Sequence, residues 1–250
     1  MASTPPCRCS ATCCKSPTSS PAITRSIGSS AGWTGNTAEP AVLTPAQLLS
    51  GYAQGVFPMA ESARDPRLFW FDPPMRGVLP VGGVHASRSL LRDLRRKHWS
   101  AHLNSDFDGI VAACADRNET WINAPLARLY HELHRTGHAH AIEIRHDGCF
   151  AGGIFGITLG TAFFGESMVS ARTNGSKMAL LWTSRHLARC GFTLFDTQFL
   201  TPHLERMGGI EIPRHLYRRQ LAIALQDKAD FTAHPLPDAG QIWQEITQTS

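Results

Sequence analysis

Between residues 139 and 198 the spacing of apolar and polar positions changes period twice. Ala139-His-Ala-Ile-Glu-Ile-Arg145 alternates small or apolar residues with polar ones, which predicts a half-buried strand. Asp147-Gly148 follows as a hairpin turn, because both residues tolerate positive φ. Residues 150–157 are apolar and glycine-rich, Leu159-Gly160 predicts a second turn, and 162–168 a third strand. The period then lengthens. Met178, Leu180, Leu181, Trp182 and Leu187 predict a core-facing stripe on a helix over 177–189. Asn174 and Ser176 are alternative N-caps for it, and Gly191 is the stop. Residues 192–199 read as a fourth strand.

Upstream the signals are shorter. Thr44-Pro45 fits the N-cap and N1 positions of a helix over 46–54, which ends at Gly55-Val-Phe-Pro58. Leu68-Phe-Trp-Phe-Asp-Pro-Pro74 predicts an aromatic turn, 76–79 a strand and 124–134 a helix. Three strands, a helix and a further strand follow the core order of an acetyltransferase-like (GNAT-like) fold. As a fold-level analogy this allows acyl transfer and nothing finer. The fold class expected is α+β: a small N-terminal α+β domain over 41–105 and a GNAT-like domain over 106–235. An extension over 1–40 and a tail over 236–250 flank them.

Three polar residues interrupt the apolar strands: Glu166, Asp196 and Gln198. A buried polar group costs free energy unless it is paired or used. Period-two alternation puts Asp196 and Gln198 on one strand face. A carboxylate beside an amide can orient an amine and relay its proton. A buried network that fixes strand register would place the same residues there.

Composition changes the picture mainly at the N-terminus. The chain has 250 residues, 24 Lys and Arg against 20 Asp and Glu, and no apolar run near the ~20 residues that a membrane-spanning helix needs. Residues 1–40 are rich in Ser, Thr, Pro and Ala, with no acidic residue before Glu39. Such a segment cannot bury enough apolar surface to order itself. Its composition also fits an organellar transit peptide, although Pro5, Pro6, Pro17 and Pro21 break any amphipathic helix. Cys7, Cys9, Cys13 and Cys14 lie there without a CxxC pair, and Cys114, Cys149 and Cys190 are scattered, as in a reducing compartment. Deleting residues 1–40 is therefore expected to leave activity unchanged and to move Tm by no more than ~2 °C in a melting experiment.

A second charged feature is local. Residues 87–97 predict a helix with Leu90, Leu91 and Leu94 on one face. Arg88, Arg92, Arg95, Arg96 and Lys97 cover the rest. The stripe suits a phosphate backbone, and equally a solvated helix face. Trp121 suits a pocket wall or a core position. His138 and His140 share a strand face, as a metal pair would, but no third ligand is evident, which favours structural histidines.

Taken together and in order, Gly55-Val-Phe-Pro58, Phe69-Trp-Phe-Asp-Pro-Pro74, His85-Ala-Ser-Arg88, Thr120-Trp-Ile122, Gly137-His-Ala-His140, Gly165-Glu-Ser-Met168, Ser176-Lys177, Asp196-Thr-Gln198 and Ile212-Pro-Arg214 resemble the leucyl/phenylalanyl-tRNA–protein transferases. The resemblance implies a cytoplasmic, monomeric aminoacyltransferase of the N-degron pathway that uses no cofactor or metal. Its substrates would be Leu-, Phe- and, less efficiently, Met-charged tRNA. Its acceptors would be proteins beginning with Arg or Lys. It implies catalytic roles for Asp196, Gln198 and Glu166, and an aminoacyl pocket of Trp70, Trp121, Ile154 and Phe163. It makes Arg88, Arg92, Arg95, Arg96 and Lys97 a tRNA surface. The residues leave two alternatives open. One is an acyl-CoA-dependent N-acyltransferase, with Arg172-Thr-Asn-Gly-Ser-Lys177 as a pyrophosphate loop. The other is a non-catalytic tRNA-binding module.

Overall fold

A computed structural model of the chain describes residues 43–96, 98–116 and 120–248. The extension over 1–40 and Lys97 lie outside the described residues. The elements in chain order are α1 (Pro45–Ala53), β1 (Phe57–Met59), β2 (Phe69–Phe71), β3 (Met75–Leu79), α2 (Arg88–Arg95), β4 (Trp99–Leu103), α3 (Phe107–Ala115), α4 (Ala124–Arg135), β5 (Ala139–His146), β6 (Cys149–Leu159), β7 (Ala162–Ser170), α5 (Gly175–Arg189), β8 (Leu194–Gln198), α6 (Pro202–Arg206), β9 (Ile210–Pro213), α7 (Arg214–Ala224) and α8 (Ala239–Gln248).

The class is α+β, with a mixed seven-stranded sheet in the order β4-β5-β6-β7-β8-β3-β9. Strands β4 to β7 are antiparallel neighbours, and among the described residues only β7 and β8 pair in parallel, across the α5 connection. β1 and β2 form a separate ribbon. β3 and β4, from the upstream part of the chain, belong to the same sheet as β5 to β9.

Side-chain alternation along the strands feeds two cores. Ile142, Ile154, Phe163 and Phe195 face one core with Leu90, Leu94 and Trp182 from α2 and α5. Ala141, Phe155, Phe164 and Leu194 face the other with Leu48, Leu126, Tyr130 and Leu221 from α1, α4 and α7. Helices thus cover both faces of the sheet. α8 falls within the segment expected as a tail, and its Ile242 and Ile246 are buried in the first core. Among the described residues no helix is long and apolar enough to cross a membrane.

Local chemistry explains most boundaries. Thr44 and Gln47 form a capping box at α1, with Pro45 at its first position. Ser87, Asp106, Asn123 and Thr201 cap α2, α3, α4 and α6 through their side chains. α5 differs from expectation. Asn174 is its N-cap residue, but at φ 70° its side chain makes no cap bond. Its Nδ2 donates instead to Asp93 Oδ2 at 2.9 Å, tying the start of α5 to α2.

Candidate active site

The parallel pairing of β7 with β8 ends at Phe164 and Asp196, although β7 runs on to Ser170. Beyond that point the strands part, and a cavity of about 220 Å³ occupies the gap. Gly165 to Met168 form one side and Thr197 to Phe199 the other. Phe57 and Met59 of β1, Trp121, and Leu204 of α6 complete the wall. Gly77 lets β3 pass close behind it: a Cβ there would stand 2.7 Å from the backbone of Phe199 and Leu200. The walls are mainly apolar. Benzene fits a cavity of roughly 150 Å³, so a branched aliphatic or benzyl side chain is of matching size.

Glu166 and Gln198 make the polar floor. Gln198 Nε2 donates to Glu166 Oε1 at 3.1 Å. Tyr52 OH donates to Oε1 and Tyr130 OH to Oε2, each at 2.8 Å. A carboxylate has about four acceptor positions, so the three donors leave about one for a ligand. Burial pushes Glu166 up to about 7, against the pull of the two tyrosine hydrogen bonds. Burial and the neighbouring carboxylate hold Tyr52 and Tyr130 well above the usual phenol range.

Asp196 stands behind this floor rather than in it. It is fully buried, and Arg76 grips it with Nε 2.9 Å from Oδ1 and Nη2 2.7 Å from Oδ2. Tyr217 OH donates to Oδ2 at 2.6 Å. The Arg76 guanidinium lies 4.5 Å from the Phe57 ring centroid and 4.4 Å from that of Tyr217, and Nη1 donates to the Gly55 carbonyl. Burial pulls Arg76 down, and the Asp196 carboxylate more than offsets it. Asp196 Oδ1 also accepts the Gln198 backbone N–H at 2.8 Å and holds Gln198 at φ 58°, a left-handed conformation that costs a non-glycine residue free energy.

The sequence-based expectations divide accordingly. Glu166, Gln198, Trp121 and Ile154 line the cavity. Asp196 does not: it reaches Gln198 through the backbone amide and not through the side chain, because the left-handed turn takes Gln198 out of strand alternation. Trp70 is not on the lining either. It pairs with Pro58, while the flanking Phe57 and Met59 line the cavity, and its ring packs on Gly51 of α1. Phe163 lies nearer the β6–β7 turn than Gly165 does, and is buried between Phe195 and Phe231, with centroids 5.2 and 5.3 Å away. Arg76, Tyr217, Tyr52 and Tyr130 complete the network and carried no sequence signal of their own.

Arg88, Arg92 and Arg95 are exposed on α2 and Arg96 at its C-cap, opposite the buried Leu90 and Leu94, and among the described residues none of them is in an ion pair. His140 is buried, bonded to Asn104 Nδ2 and the Gly137 carbonyl, and lowered to about 4 chiefly by burial. Among the described residues no group of three His, Cys, Asp or Glu side chains is placed to hold a metal. The 172–177 loop is engaged internally. The Ala171 and Arg172 amides donate to the Ala151 carbonyl, Gly175 N–H to Arg172, Ser176 N–H to Ser170 Oγ, and Met178 N–H to Asn174. The Arg172, Gly175 and Ser176 amides are thus already bonded within the protein rather than turned to a pyrophosphate.

Comparison with known proteins shows which family the chain resembles. Residues 78–222 match the family model described as leucyl/phenylalanyl-tRNA protein transferase, and residues 41–74 the model of its N-terminal domain. A leucyl/phenylalanyl-tRNA–protein transferase of Paracoccus denitrificans is 62% identical over 208 residues, which are 83% of this chain and 98% of that one. One from Dinoroseobacter shibae is 59% identical over 198 residues, 79% of this chain and 89% of that one. Among solved structures, the C-terminal domain of a proposed lysylphosphatidylglycerol synthetase from Agrobacterium fabrum matches at a TM-score of 0.34 and 11% identity, covering 82% of this chain and 69% of that one, too distant to carry an argument. The two family models span both the β7–β8 cavity and the α2 helix, and the chain belongs to the leucyl/phenylalanyl-tRNA protein transferase family of aminoacyltransferases.

Proposed function

We propose that the protein transfers Leu or Phe, and Met less efficiently, from aminoacyl-tRNA to the α-amino group of proteins that begin with Arg or Lys, marking them for degradation by the N-degron pathway. The observation that carries this reading is the cavity at the β7–β8 parting, with apolar walls over a Glu166–Gln198 floor. The amino-acid side chain of the donor lies against Trp121, Ile154, Met168 and Phe195. With Gln198 Nε2 committed to Glu166, Gln198 Oε1 is the end left to accept an amine N–H.

The chemistry needs little beyond positioning. An α-amine titrates near 8, so a carboxylate of pKa about 7 can take its proton. The neutral amine attacks the ester carbonyl carbon, a C–N bond forms, and the bond to the ribose oxygen breaks. That oxygen leaves with the second proton from the amine. Holding two substrates in line is worth roughly 7–11 kcal/mol at best. The three-strand, helix and parallel-strand arrangement around the cavity supports an acetyltransferase-like part of the fold. The protein acts as a cytoplasmic monomer.

The exposed α2 arginines meet the acceptor stem. Replacing Arg92, Arg95 and Arg96 by Ala together is expected to weaken binding to every tRNA and to flatten the dependence of log affinity on log salt, by about 0.9 per lost duplex contact. A salt titration of tRNA binding reads this, and an unchanged slope contradicts it. The activity itself is tested by offering Leu-tRNA and then acyl-CoA with an Arg-initiated peptide. Transfer from tRNA alone supports the reading, and transfer from acyl-CoA alone overturns it.

A further inference from the structure

A second set of basic side chains stands near the cavity, on α5 and α6. His203 is on α6, between the cavity-lining Thr201 and Leu204. Its Nε2 is 3.5 Å from Ser176 Oγ at the start of α5. Lys177 is the next residue, one helical turn before Leu180, which also lines the cavity. Arg206 is three residues after His203 and shares its helix face. The same end of α5 is tied to α2 through Asn174 and Asp93, so this cluster continues the arginine stripe towards the cavity rim.

Among the described residues, Lys177, His203 and Arg206 form no ion pair with a carboxylate. Like charges gathered without a counter-charge repel one another, and an arriving anion relieves the cost. Burial first, then Lys177 and Arg206, hold the His203 imidazole below its ordinary value.

We propose that Lys177 and Arg206, with His203 and Ser176 between them, bind the phosphodiesters of the single-stranded 3′ end of the donor tRNA. This inference deepens the proposed function and rests on it for the identity of the ligand. Phosphates held here place the terminal ribose ester at the cavity mouth, and the arginines of α2 take the duplex that precedes it.

The test is direct binding of a 5′-phosphorylated cytidylyl-cytidylyl-adenosine trinucleotide, with adenosine as the phosphate-free control. Lys177→Ala and Arg206→Ala are each expected to raise the trinucleotide Kd about tenfold, as loss of a charged hydrogen bond does, and to leave adenosine within about twofold. The salt slope for the trinucleotide is expected to fall by about 0.7 per lost contact. Lys177→Arg is expected to restore binding. Unchanged trinucleotide affinity, or equal loss with adenosine, overturns the proposal. Should the wild type transfer nothing from Leu-tRNA yet bind the trinucleotide through Lys177, the proposed function falls and the phosphate site stands.

Discussion

Asp196→Ala is expected to lower stability more than any other single substitution in the network, and to lower transfer with it. It leaves the Arg76 guanidinium, 1% exposed, without its carboxylate. Breaking a buried pair in this way costs about 3–5 kcal/mol. For a chain of this size that is a fall in Tm of roughly 6–20 °C. It also frees the Gln198 amide, so the left-handed turn relaxes and the floor of the cavity moves. Below the melting transition the single-turnover rate is expected to fall about 10²-fold, as it does when a reacting group is misplaced. The two effects separate in the double variant Arg76→Met with Asp196→Leu. Apolar replacement of a whole buried pair is often neutral, so calorimetry is expected to show most of the stability restored. Transfer is expected to stay low, because neither new side chain can hold the Gln198 amide. Recovery of both would remove Asp196 and its clamp from the positioning of Gln198.

The second large effect concerns Glu166 and pH. Its carboxyl is held at about 7 in the folded protein, while an unfolded glutamate titrates near 4.3. Between those values the folded state keeps a proton that the unfolded state has released, so stability falls as pH rises through the window and stays low above it. Glu166→Gln removes that dependence. The variant is expected to match the wild type near pH 4 and to exceed it in stability above pH 7, by something on the order of 3 kcal/mol. Its transfer rate is expected to move the other way. Without a group to take the ammonium proton, the rate falls about 10²-fold, and the step near pH 7 disappears from the pH–rate profile. The step of the acceptor amine near 8 remains. Persistence of the pH 7 step in the Gln variant would assign the proton to another group.

Much of the fold and half of the site were legible in the sequence because they rest on local signals. Alternation and turn residues gave β5, β6, β7, α5 and β8 within a few residues, and Thr44 and Gly191 marked ends that the structure keeps. Glu166 and Gln198 stood out as polar residues inside apolar strands, and they do line the cavity. The rest depends on distant contacts. Arg76 only begins a predicted strand; its partner Asp196 is 120 positions away. Tyr52 meets Glu166 across 114 positions. Strand period placed Asp196 and Gln198 on one face, and only the left-handed turn at Gln198 undoes that. Phe163 and Trp70 have pocket-like chemistry, but register and the packing of Phe231 and Gly51 take them away from the cavity. β4, α3, β9 and α8 gave no usable pattern: they are short, or lie where composition is mixed.

The central claim is that the cavity at the parting of β7 and β8 holds the aminoacyl group of the donor. A crystal structure of the protein with a stable amide analogue of 3′-leucyl-adenosine tests it most directly. The leucyl side chain is predicted to lie against Trp121, Ile154, Met168 and Phe195, with the amide carbonyl facing Gln198. A leucyl group bound anywhere else, with this cavity left empty, would contradict the account.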